Sequence, residues 1–240
     1  MNPELARLLA EHFRNKGGFS SEEAAMAVEC LRATALNLEV DTTHPITDAK
    51  CLLGFSWGGR HDQWLNISLP GPQNETIAAQ MCCYYEILKS RNEGAEPFVL
   101  HVCVQWEIVI NSNLAIVVPP EQLHVLRAPV NAMTAKHDHY STQTLLGDMM
   151  DVLLANDVDL RTVPVGLFAH RYHLPRIVEY AKKLGIAQIS SPVSDMPSSF
   201  DLQSAQAWIR DFRGFFLSNA VSGMAKLRND LYCVRPEYFP

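Results

Sequence analysis

Charge is scarce in this chain of 240 residues: Asp, Glu, Lys and Arg make up 19%, against roughly 25% in an ordinary domain. There is no polybasic run, and 26 acidic against 20 basic side chains leave a net charge of −6. Phosphate neutralisation drives binding to nucleic acid and to anionic membranes, and it calls for a basic excess. Neither is therefore expected as a main partner. A small anionic ligand stays open, because a few local Arg and His residues suffice for it. No apolar stretch approaches the roughly 18 residues that span a bilayer. The N-terminus carries Glu4 and Glu11 within its apolar pattern and has no cleavable hydrophobic core, so no signal peptide is expected. The expected location is the cytoplasm.

Other absences narrow the chemistry. The six cysteines, Cys30, Cys51, Cys82, Cys83, Cys103 and Cys233, form no C-x-x-C pair. They are read as buried free thiols in a reducing compartment. There is no G-x-G-x-x-G, no G-x-x-x-x-G-K-[ST] and no G-x-S-x-G, which argues against an ordinary dinucleotide dehydrogenase, a P-loop NTPase and an α/β-hydrolase. No H-E-x-x-H and no Cys-rich knuckle is present either. Nothing in the composition fixes an oligomeric state.

What is present is a core-forming chain, 48% apolar. Leu5, Leu8, Leu9, His12 and Phe13 share one helical face that ends at Gly17-Gly18. Ser20-Ser21-Glu22-Glu23 is a capping box opening a second helix with the stripe Ala24, Ala27, Val28, Leu31, Ala35 and Leu38. From about residue 48, short apolar runs alternate with helical segments. The runs Lys50–Phe55, Phe98–Val104, Leu114–Val118, Val163–Phe168 and Ile186–Ile189 suit strands buried on both faces. Helices are expected at about 75–90, 142–155 and 175–184, and a broad apolar helix over 202–218 against the sheet. The fold class expected is α/β, a three-layer domain with a mostly parallel sheet and an N-terminal helical pair. The divisions expected are 1–45 as a helical cap, 46–220 as the α/β domain and 221–240 as an extended tail.

Ligands of such sheets bind beyond the carboxyl ends of the strands, beside helix N-termini that attract anions. The segments after each run therefore supply the candidates. Gly58-Gly59-Arg60 follows the first, as an anion loop or a plain turn. Gln105-Trp106-Glu107 follows the second, offering a flat ring and hydrogen-bonding groups. Ser141 and Thr144 open the helix at 142, as caps or as anion ligands. His170-Arg171-Tyr172-His173-Leu174-Pro175-Arg176 is the most loaded segment. Pro175 fixes a helix start, and Arg176 in that first turn opposes the helix dipole unless an anion lies between them. His173 is the candidate general acid/base and Arg176 the stabiliser of negative charge. An alternative reading joins His137, His139, His170 and His173 into a metal site of a hydrolase. Another makes the N-terminal helices or the aromatic tail the contact surface of a non-enzymatic protein.

Three of these segments together resemble the YdcF/SanA/ElyC-like family. Val163–Phe168 followed by His173-Leu174-Pro175-Arg176 is similar to that family's late strand and its His, hydrophobic, variable, Arg helix start. Ser141-x-x-Thr144 resembles its Ser-x-Asn-Thr motif, and Cys51-Leu52-Leu53-Gly54 its first strand. The likeness spans about residues 49–190. Leu146-Gly147 and Gln105-Trp106-Glu107 stand where the family has Glu-Asn and Ser-Gly-Gly, so the resemblance speaks more for fold than for shared ligand chemistry. It implies a Rossmann-like three-layer domain that binds a small anionic or nucleotide-like ligand. The candidate residues themselves, with His173 and Arg176 in the catalytic roles, make group transfer or hydrolysis of a phosphate-bearing substrate the expected reaction class, with a nucleotide or an S-adenosylmethionine-like molecule as the expected ligand type. No metal is expected on this reading.

Overall fold

The computed structural model describes residues 3–34, 40, 42–62, 67–92, 98–110, 112–127, 141–212, 214–215 and 218. The chain divides into two compact units: Met1–Glu39 with Ala207–Pro240, and Val40–Gln206.

In the first unit, α1 (Pro3–Gly17) and α2 (Ser21–Thr34) pack together. The capping box forms as its spacing dictates. Glu23 N–H donates to Ser20 Oγ at 3.2 Å, and Glu23 Oε2 accepts from Ser20 N–H at 2.7 Å. The ring of Phe19 stacks back on Phe13, 5.6 Å between centroids. This fixes the turn that Gly18 makes at φ 69°.

The second unit carries a five-stranded parallel sheet flanked by helices, a Rossmann-like three-layer arrangement. Its strands are β1 (Cys51–Gly54), β4 (His101–Gln105), β5 (Leu123–Leu126), β6 (Val165–Phe168) and β7 (Ile189–Ser190), in the order β5-β4-β1-β6-β7. An antiparallel hairpin, β2 (Gly59–Asp62) with β3 (Ile67–Pro70), stands outside that sheet. Helix α3 (Pro72–Arg91) packs on β1 and β6, with the short α4 (Trp106–Val109) and α5 (Leu114–Val117) beside it. Helix α6 (Thr142–Leu154) packs on β4 and β5 and against α7 (Leu174–Lys183). Among the described residues, no helix is long and apolar enough to cross a membrane.

The central strands are continuous apolar runs because both faces are covered. Cys51, Leu52, Leu53, Val102, Cys103, Val104, Val165 and Leu167 are fully buried, and each large aliphatic side chain among them contributes about 1.5–3 kcal/mol. The outer edge of β7 is closed by the chain itself: Thr43 and His44 N–H donate to Ile189 O, and Ile189 N–H donates to Thr43 Oγ1. Helix α3 approaches β1 closely at Gly54, where a Cβ would lie 2.7 Å from Met81 Sδ, 2.7 Å from Val104 Cγ1 and 3.0 Å from Ile108 Cδ1. Gly54→Ala is therefore expected to destabilise the chain by about 1–3 kcal/mol through overpacking. Urea unfolding checks this, and an unchanged midpoint would mean that α3 shifts freely.

Several expectations are corrected. Leu114–Val118 is not a strand. Leu114 is buried while Ile116 is 82% exposed, so the segment has one inner face only and coils into α5. The edge strand is Leu123–Leu126, whose side chains are half-buried or exposed. The expected helix over 202–218 does not begin at 202. Asp201–Gln206 is a turn in which Gln203 N–H donates to Asp201 Oδ1 and Gln206 N–H to Ser204 Oγ. Beyond it, Ala207–Ile209 is a single 3-10 turn, and from Ala207 the chain groups with the N-terminal helices rather than with the sheet. Cys51 and Cys103 are buried thiols as expected, but Cys82 is half-buried and Cys83 exposed on α3. The tail 221–240, with Cys233, lies outside the described residues.

Candidate functional site

Strand order places one crevice. From β1 the chain moves outward through β4 to β5, then crosses back to β6 and β7. The reversal falls between β1 and β6, where the loops leaving their carboxyl ends part to opposite sides. Phe55 N–H still donates to Phe168 O at 2.8 Å, which holds the two strands together one residue past Gly54. Beyond that point the loops Ser56–Gly58 and Ala169–His173 bring their side chains together.

The crevice is filled by an aromatic cluster. The Trp57 indole, 3% exposed, lies flat on the buried His170 ring at 4.2 Å and 5°. His173 stands beside it, 5.5 Å from Trp57 and edge-on to Phe55 at 6.5 Å. Tyr172 and Phe200 stack on each other at 5.5 Å and flank His170. Polar groups from the start of α3 pin the cluster. Asn74 is fully buried, accepts Trp57 N–H at 2.7 Å and donates to Gly58 O at 3.0 Å. Gln105 Oε1, at the end of β4, accepts Ser56 N–H at 2.7 Å.

The two histidines are neutral. Ser199 O can only accept, so the His170 Nε2 at 2.9 Å from it carries the proton, and Tyr172 N–H faces Nδ1 at 3.4 Å. Burial pushes the His170 pKa down to about 4, partly offset by that carbonyl. Burial pushes His173 down to about 3, helped by the positive Arg176 and by His170. His173 Nε2 is hydrogen-bonded to Thr142 Oγ1 at 3.0 Å. Its Nδ1 is buried and has no hydrogen-bond partner among the described residues. The assignment of His173 as a general acid/base poised near neutrality is therefore corrected: at pH 7 it holds no transferable proton and is a weak base. It acts as a hydrogen-bonding group.

The remaining candidates divide. Ser141 is the N-cap of α6, its Oγ accepting Thr144 N–H at 3.1 Å and lying 2.8 Å from Thr144 Oγ1. Arg176 is exposed in the first turn of α7, has no ion pair among the described residues, and lies over the Tyr180 ring at 5.7 Å. The Thr142–His173 hydrogen bond brings these two helix starts together. His173 is itself the N-cap of α7 and makes no side-chain cap bond.

The Gly58-Gly59-Arg60 loop is corrected from an anion cradle to a turn. Gly58 takes φ 69°, a conformation that favours glycine, and Gly59 already begins β2. Arg60 is used structurally, with Nε and Nη2 donating to the two oxygens of Asp201 at 2.8 and 2.9 Å. Trp106 carries the Arg127 guanidinium over its ring at 5.0 Å, so one face of that ring is already occupied. Glu107 lies in the first turn of α4. Of the alternative metal set, His137 and His139 lie outside the described residues, and both nitrogens of His170 are engaged. No group of three or more His, Cys, Asp or Glu that could hold a metal ion occurs among the described residues.

Sequence reasoning missed Trp57, Gln73, Asn74, Ser199 and Asp201. Gln73 and Asn74 sit in the first turn of α3 and look like ordinary polar cap positions. Only their burial, 3% and 0% exposed, marks them. An open cavity of about 380 Å³ lined by Glu75, Ala79, Cys82, Ser112 and Asn113 shares no residue with the cluster. Comparison with protein-family models, with curated proteins and with solved structures gives no match to this chain.

Proposed function

We propose that the chain binds a small anionic or nucleotide-like ligand at the carboxyl edge of the sheet, between the starts of α6 and α7, as a divergent relative of the YdcF/SanA/ElyC-like proteins. Group transfer or hydrolysis of a phosphate-bearing substrate is the reaction class this reading carries. The supporting observation is the 3.0 Å bond between Thr142 Oγ1 and His173 Nε2. Through it, two helix N-termini, each with partial positive charge, share one corner of the molecule. Arg176 adds a full charge there, in a first turn where a lone cation costs about 0.3–1 kcal/mol. An anion between them reverses that sign. The neutral His173 lends a hydrogen bond, while Ser141, Thr142 and Thr144 lend hydroxyls.

The reading is tested by thermal shift and titration calorimetry with inorganic phosphate, ADP and ribose 5-phosphate. Arg176→Ala is expected to weaken any hit about 10- to 100-fold, the size of a charge-assisted hydrogen bond, without lowering the unliganded Tm. A variant that binds every hit as tightly as the parent removes the site assignment.

A further inference from the structure

The two edges of the parallel sheet differ. Thr43 and His44 close the outer side of β7. At the opposite end stands β5, and nothing among the described residues pairs with its outer side. An open strand edge is a template for another strand, which proteins commonly blunt with Pro or Lys. Leu123-His124-Val125-Leu126 has neither.

The register tells which backbone groups lie open. Val102 N–H donates to Gln122 O at 2.8 Å. In a parallel ladder alternate residues turn inward, so Gln122, His124 and Leu126 serve β4, while Leu123 and Val125 turn outward. Pro119 O takes the Leu123 N–H at 3.1 Å. The Leu123 carbonyl and the N–H and carbonyl of Val125 are left. The side chains add apolar surface. A Cβ at Gly54 would lie 2.7 Å from both Met81 Sδ and Val104 Cγ1, which puts Val104 on the α3 side of the sheet. Val125 is in register with Val104 and shares that side, 44% exposed. Ile116, 82% exposed on α5, belongs to the same layer, because α5 packs on α3.

Charge selects the occupant. Glu121 and Arg127 stand three positions before and three after His124. Both are exposed, and neither has an ion pair among the described residues. Antiparallel pairing with a second β5, about a two-fold axis at His124, sets Leu123 opposite Val125 and Glu121 opposite Arg127, each twice. Val125 N–H of each copy then meets Leu123 O of the other. In-register parallel pairing sets like charge against like. We propose that β5 is a dimer interface, at which two copies of this chain join antiparallel into one continuous sheet. The contact is isologous and closes at two copies. The strand has four residues, too few to bury the roughly 1,200–2,000 Å² of a standard interface, so the dimer forms at high concentration and dissociates on dilution. The inference does not depend on the anion site.

Sedimentation velocity of the full chain from about 1 to about 200 μM tests this. The expected mass rises from that of one chain toward that of two. Glu121→Arg and Arg127→Glu each set like charges together and should associate at least about 10-fold more weakly than the parent. An equimolar mixture of these two variants pairs opposite charges again, and its mass should return toward the dimer's. Val125→Pro removes the open N–H, leaves the ladder to β4 intact, and should be monomeric with the parent's far-ultraviolet circular dichroism. If Val125→Pro does not fold, the charge variants decide alone. A parent that is monomeric throughout overturns the proposal. Single charge variants that dimerise as the parent does put the contact elsewhere and overturn it equally. So does a mixture of folded variants that stays monomeric.

Discussion

Trp57→Ala is expected to lose about 3–5 kcal/mol of stability, the range for emptying a large aromatic site in a close-packed interior. Trp57 is 3% exposed, and it covers His170 at 4.2 Å and flanks His173 at 5.5 Å. Alanine keeps the backbone bond to Asn74 but leaves a cavity bounded by two imidazoles, which water can enter. The loss then has a second signature. Rehydrated, His170 loses the burial that holds its pKa at about 4, and its titration moves up toward the ordinary 6.5. Trp57→Phe keeps a flat ring in the crevice and should lose much less. Urea unfolding at pH 7.5 measures the first effect, and the imidazole proton shifts of His170 measure the second. A Trp57→Ala loss under about 1 kcal/mol would mean that the cluster is not part of the folding core.

How much of this was legible beforehand depends on where the information lay. Cys51–Gly54, Phe98–Val104 and Val163–Phe168 announce strands because a parallel strand covered on both faces must be apolar throughout. Leu123–Leu126 announces nothing: an edge strand with His124 in its middle has neither a full run nor an alternation. Leu114–Val118 misleads for the converse reason. Its β-branched residues look like a strand, yet Ile116 stands in solvent while Leu114 and Val118, four positions apart, find the core, and one turn of helix suffices. In the hairpin, Gly59–Asp62 is polar and shows no period of two.

The candidate site follows the same division. His173, Pro175 and Arg176 stood out because helix starts have a local grammar. Thr142 meets His173 across 31 positions, and Arg60 meets Asp201 across 141. Nothing local in either partner names the other, so Arg60 looked like a free cation. The same holds for Trp57 and Asn74, 17 positions apart, where a loop residue and a helix cap give no sign of a shared buried bond.

Acid should unfold the chain early, and the sign follows from the two crevice histidines. An unfolded histidine titrates at an ordinary 6.5, whereas folded His170 and His173 titrate at about 4 and about 3. Between those values the unfolded chain binds more protons, so stability is complete above about pH 6.5 and is lost as pH falls below it. From pH 7.5 to pH 5 each histidine removes about 2 kcal/mol, together about 4 kcal/mol, a large share of a typical stability of about 5–15 kcal/mol. His101 and His124 add in the same direction. They meet nitrogen to nitrogen at 2.9 Å across β4 and β5, and burial lowers both. Asp201, held low by Arg60, contributes only nearer its ordinary 3.8 and so lies outside this window. Urea midpoints at pH 7.5, 6 and 5 give the slope. His170→Gln, which keeps an amide donor for Ser199 O but does not titrate, should flatten it by about one proton, or roughly 1.4 kcal/mol per pH unit at the steepest point. A parent whose midpoint is unchanged between pH 7.5 and 5 would require both rings to be solvated in the folded state. The Trp57–His170 stack would then not hold in solution, nor would the crevice built on it.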